Sequence, residues 1–139
     1  MKRLALIALT VGTGLLLAGP GTAVAQTSAP PGGAYKMVSS LVPLPDFVPG
    51  LGTLYVDPAT LPAGPFLAYD HQGKLVSSIY MIPLKDMNAH KAFNGLKVAH
   101  ERVDHVDVLF NAGHPGVAEP HYHVILWYVS PQRAAQLAK

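Results

Sequence analysis

The sequence predicts an α+β fold, a mainly antiparallel β-sheet built from hairpins with two short helices, in a single domain. Three observations carry this expectation. Thirteen prolines and thirteen glycines in 139 residues cut the chain into short elements joined by turns. Apolar residues recur with a period of two in runs bounded by turn formers, the pattern of strands joined as hairpins. Helix start and stop signals frame only two short stretches, one after Asp86 and one after Ser130.

At the N-terminus, Lys2 and Arg3 precede the apolar run Leu4 to Ala18, and Ala23-Val24-Ala25 has the small-x-small form of a signal-peptidase site. Residues 1–25 are therefore expected to be a secretory signal peptide cleaved near Ala25, delivering a periplasmic or extracellular protein. Gly12, Gly14, Gly19 and Pro20 make the apolar stretch too short and too broken for a stable span. No integral membrane segment is expected after cleavage. There is no cysteine to carry a lipid anchor or a disulfide. The formal charge of +2 is supplied by Lys2 and Arg3, so the remainder is balanced and offers no electrostatic footprint for nucleic acid or anionic lipid. A half-apolar exported chain without disulfides draws its stability from packing, proline-stiffened loops or homo-oligomerisation.

Residues 26–40, rich in Pro, Gly, Ser and Ala, are expected to form a flexible leader, and residues 41–139 the single domain. In LVPLPDFVPGLG, prolines 43, 45 and 49 preclude central strand pairing, so this segment should run extended along an edge or across the core. GTLYV, residues 52–56, reads as a short strand closed by Asp57-Pro58. PFLAYD and KLVSSIYMIP flank His71-Gln72-Gly73, the arrangement of a hairpin with an αL bulge and a solvated histidine at its tip. Ser77 and Ser78 fall mid-strand, one expected to face the core and the other solvent. Asp86 is the expected N-cap of an amphipathic helix running to Leu96 and ended near Gly95, with His90 and Asn94 as an exposed polar pair. Val103 to Phe110 and His121 to Val129 read as strands, joined through Asn111-Ala112-Gly113-His114-Pro115-Gly116. Ser130-Pro131 should cap a short terminal helix.

The last hairpin holds four of the seven histidines. If its strands pair antiparallel with residue numbers summing to an even value, such as about 228 or 230, then His105, Asp107, His121 and His123 share one face. With His114 and Glu119 supplied by the loop, these residues match an N/O site for a divalent transition metal, zinc or copper. A His-x-His pair alone is not diagnostic. The reading that takes precedence has the histidines bonding one another, Asp107 and the turn, and so fixing register without metal. Ring nitrogens converging within about 4 Å would favour the metal. The chain lacks a cysteine nucleophile, a Gly-x-Ser-x-Gly elbow and a phosphate-cradling glycine loop, and after His123 it continues VILWYVS rather than reaching the glutamate of a cupin strand.

GHPGVAEPHYHVILWYVSP, together with VDHVDVLF and the stretch from Gly52 to Pro83, resembles an uncharacterised bacterial exported-domain family typified by a sigma-E-regulated secreted protein of thermophiles. The resemblance spans roughly residues 49–131. It implies an α+β fold, homo-oligomerisation and a link to envelope stress, with no assigned activity. Leu54, Ile79 and Ile125 stand where the family places polar residues, and His123 where it places aspartate. The leading expectation is a non-enzymatic exported homo-oligomer whose histidine stripe serves first as a folding and assembly element and only second as a site for a metal or small ligand, with no other cofactor. The alternative is a metal-dependent enzyme with His105, His121 and His123 as ligands and Glu119 as general base. A third reading recognises peptide or cell-wall material through Tyr122, Trp127 and Tyr128.

Overall fold

In a computed structural model of the chain, residues 26–139 are described; the expected signal peptide, residues 1–25, lies outside them. The fold is the predicted α+β class. Six strands form one sheet: β1 (Lys36–Met37), β2 (Thr53–Val56), β3 (Phe66–Tyr69), β4 (Leu75–Pro83), β5 (His105–Asn111) and β6 (His121–Trp127). Their order is β1-β2-β3-β4-β6-β5, and every neighbouring pair is antiparallel. Two short helices, α1 (Leu84–Asn88) and α2 (Pro131–Ala135), follow β4 and β6. Among the described residues, no helix is long and apolar enough to cross a membrane.

The β3–β4 hairpin forms as its turn residues require. Gly73 takes the left-handed φ of 73°, and a register shift at Ala68/Tyr69 supplies the bulge. Asp70, 5% exposed at the start of the turn, accepts from the backbone N–H groups of Gln72 and Lys74 and from the Arg133 guanidinium. Burial by itself would raise its pKa, but those donors outweigh it and hold the carboxyl below the usual range. His71 is exposed as expected, yet its ring stacks on Phe47 with centroids 3.7 Å apart.

Each face of the sheet has its own core. On one, Leu54, Val56, Phe66, Ile79, Met81, Ile125 and Trp127 pack under the covering segment 38–51 and the terminal helical turns. The proline-rich segment thus crosses the core, contributing Val42, Leu44, Phe47 and Val48. The opposite face gathers Tyr55, Leu67, Tyr69, Leu75 and Ala99. Burial of these apolar side chains, at about 25 cal/mol per Å² removed from water, is the main stabilising term in a chain without disulfides.

Several expectations are corrected. Residues 26–40 are not a flexible leader. Ala29 N–H donates to the Gly73 carbonyl, Thr27 accepts from Leu75 N–H, Tyr69 Oη donates to the Gln26 carbonyl, and β1 pairs with β2. These backbone bonds and the packing of Tyr35 and Met37 offset the ordering entropy that composition alone could not. The helix expected from Asp86 to Leu96 is only α1, with Asp86 inside it. Lys91 N–H bonds the Asp86 carbonyl and His90 N–H that of Met87, a Schellman ending in which His90, at φ 56°, reverses the chain. Ser77 and Ser78 are both fully buried, because β4 is central and covered on both faces. Ser78 Oγ accepts from Tyr128 Oη. The terminal helix forms as predicted, with Ser130 Oγ accepting from Arg133 N–H and Pro131 in the first turn.

Candidate metal centre

The site sits at one end of β6, and register decides its membership. β5 and β6 pair His105↔Trp127 through Asn111↔His121, so partner numbers sum to the even value 232, close to the expected 228 or 230. His105, Asp107, His121 and His123 do share one face, that of the core under segment 38–51. The slide along the strand matters as much as the parity. His105 stands opposite Trp127, four residues beyond His123 and roughly 13 Å away at the usual strand rise.

Sequence places the third histidine through a turn. His114-Pro115-Gly116-Val117 closes on reciprocal backbone bonds, His114 N–H to the Val117 carbonyl at 2.8 Å and Val117 N–H to the His114 carbonyl at 2.9 Å. Proline second and a glycine of φ 85° third are the requirements of a type II turn. Asn111 Oδ1 accepts from Gly113 N–H and steadies the entry to this loop. The turn brings His114 back over β6, where its ring centroid lies 4.9 Å from that of His121 and 5.6 Å from that of His123.

One nitrogen from each of His114, His121 and His123 falls within 4.8 Å of those of the other two, and His121 Nε2 and His123 Nε2 are 3.0 Å apart. Two of the three tautomers are set by backbone carbonyls, which can only accept. Nδ1 of the fully buried His121 donates to Glu119 O at 2.6 Å, and Nδ1 of His114 donates to Pro115 O at 3.0 Å. In the neutral form of each ring, this leaves Nε2 as the nitrogen with a lone pair. Orientation of ligand imidazoles through the remote nitrogen is the usual support of a metal site. Burial, and then the neighbouring His121 and His114 rings, push the His123 pKa down to about 4, so this ring is neutral at ordinary pH. Tetrahedral coordination at about 2.0–2.1 Å would place nitrogens about 3.3 Å apart, a spacing the His121–His123 pair nearly has. The three-histidine set spans up to 4.8 Å, wider than the roughly 4 Å expected of a metal site, so His114 would have to move inward to complete it.

Three residues expected at the site are elsewhere. His105 Nδ1 lies 2.9 Å from Asp104 Oδ1, and its ring faces Trp127. Asp107 accepts from Trp127 Nε1–H at 2.8 Å, across the sheet from Ile125. The Glu119 carboxylate turns outward to Lys85 Nζ at 2.7 Å, and only its carbonyl serves the histidines. The set His105, His121, His123 with Glu119 as base is thus replaced by His114, His121 and His123 with no carboxylate beside them. Trp127, 4% exposed, is a core residue rather than a recognition surface.

Period and spacing gave no sign of the adjoining cavity, about 270 Å³ and lined almost wholly by apolar side chains, which reaches His114 and His123. Leu54 and Ile79, the apolar replacements noted in the sequence, lie in its wall.

Among solved structures, the chain is similar to hypothetical protein TTHB210 from Thermus thermophilus, with 46% identity over 68% of this chain and 87% of that one, at a TM-score of 0.62. No family model and no curated protein matches it.

Proposed function

This chain belongs to the same family as that hypothetical protein of Thermus thermophilus, and from that footing we propose that it is an exported, non-enzymatic, homo-oligomeric domain holding a divalent transition metal, zinc or copper, on His114, His121 and His123. The observation that carries the reading is the convergence of three imidazoles, two of them oriented through Nδ1 by backbone carbonyls, with His121 Nε2 turned to His123 Nε2. Neutral nitrogen donors without a thiolate suit zinc or copper rather than calcium or magnesium. The alternative, an enzyme at the same metal, lacks support from a positioned base, since Glu119 is paired with Lys85 in solvent.

Metal analysis and zinc titration test the site. The wild type and a His105→Ala variant take up one equivalent, and the His121→Ala, His123→Ala double variant takes up none. Equal uptake by the wild type and the double variant would remove the site and leave the His121–His123 hydrogen bond as a register device only.

Assembly is supported by the outer face of the last hairpin. Val106, Val108 and Phe110 on edge strand β5 are 52%, 60% and 56% exposed, beside Tyr122, Val124 and Leu126 of β6. A mature protein that sediments as a monomer at micromolar concentration overturns this part.

A further inference from the structure

We propose that the metal's remaining coordination position takes a small monoanion with an apolar tail, a short- or medium-chain carboxylate, whose tail fills the cavity beside the histidines. The proposal rests on the metal reading above and names the ligand class of that same site.

The charge balance calls for an anion. Three neutral imidazoles leave both charges of a divalent cation uncompensated at a position backed by the fully buried His121. A buried, uncompensated charge is costly, and an anionic fourth ligand removes that cost. The three carboxylates of the last hairpin are engaged elsewhere: Glu119 by Lys85, Asp107 by the Trp127 indole, and Asp104 by His105. A ligand from outside therefore completes the site.

The cavity determines what else that ligand carries. It lies between the sheet, represented by Leu54 and Ile79, and the covering segment, represented by Val42 and Leu44. Asn111, His114 and His123 are the polar side chains on its wall. Such a lining does not hold water well, since a buried water needs two to four polar partners. At about 30 Å³ for each small group, 270 Å³ accommodates roughly eight or nine carbon-sized units. Leu41 and Leu61 also line it and are 45% and 46% exposed, which puts them at its rim. A carboxylate on the metal with an alkyl tail along the apolar wall satisfies both ends of the space.

The test uses the mature protein loaded with cobalt, whose visible absorption reports a change of ligand, titrated with acetate, butanoate, hexanoate and octanoate. The dissociation constant is expected to fall about fourfold per added methylene, following the transfer free energy of CH₂, and to level off near eight carbons. Octan-1-ol, with the same tail and no charge, is expected to leave the spectrum unchanged. Leu44→Trp, which narrows the cavity, should keep cobalt and acetate binding while weakening octanoate at least tenfold. Val48→Phe, at a separate wall position, carries the same expectation should Leu44→Trp fail to fold. Cobalt binding with no response to carboxylates, or with a response independent of chain length, overturns this proposal and leaves the metal reading standing. Absence of cobalt uptake overturns both.

Discussion

His123 shows how a single residue ties the candidate site to folding. Its pKa of about 4 in the folded protein lies below the ordinary 6.5, because burial and two neighbouring rings disfavour the charged form. Between those values the unfolded chain binds the extra proton and the folded chain does not. The stability this residue contributes is therefore complete above pH 6.5 and is lost as pH falls towards 4. Urea unfolding of chelator-treated protein across that range should show the midpoint falling, and His123→Gln should flatten the slope. A wild-type midpoint that does not move between pH 7 and pH 4 would contradict the burial argument. The residues themselves were legible in advance: His114, His121 and His123 stand out in the sequence by type and local pattern. What spacing could not supply was the direction of Glu119, whose carboxylate follows Lys85 while its carbonyl follows His121. Nor does side-chain periodicity say which of two same-face histidines lies near a turn.

At the scale of the element, hairpins were readable because glycine, proline and asparagine announce their turns, and strand parity follows from a period of two. The slide of β5 along β6 was not readable, since any even register serves the alternation equally well. It is this slide that removes His105 and Asp107 from the cluster. The helix after β4 was overestimated for a different reason: its apolar spacing continues past residue 90, but no core lies beneath to reward it, and Met87 is 46% exposed. The chain reverses instead at His90, a side-chain-bearing residue in a conformation glycine adopts without a Cβ penalty. His90→Gly should accordingly raise stability by about 0.5–1 kcal/mol, measured by urea denaturation, with no change in zinc uptake. A loss of stability would mean that the histidine side chain holds the ending in place.

Over the whole molecule, one sheet face is closed by segment 38–51 and the C-terminal turns, while the hairpin at the far edge leaves an apolar face to solvent. Composition had suggested an assembling protein, and Phe110→Ser with Val108→Lys is expected to yield a monomer by sedimentation while zinc stoichiometry stays unchanged. Retention of the oligomer in that double variant would move the contact to another surface. The ordering of residues 26–40 was hidden from the sequence, whereas the proline-rich strip after them was expected to run along an edge or across the core and takes the second course.

The type II turn at Pro115-Gly116 has a further consequence. A Cβ placed on Gly116 would lie 2.5 Å from Val42 Cγ1, so the turn that carries His114 rests directly on the covering segment. Were that segment to lift, the third imidazole would lose its backing and only the strand-borne pair would remain. On the metal reading proposed above, metal uptake and closure of this early stretch of chain would be thermodynamically linked, each strengthening the other by the same factor. Amide hydrogen exchange across residues 38–51 is expected to slow on adding zinc, and Gly116→Ala to abolish that slowing.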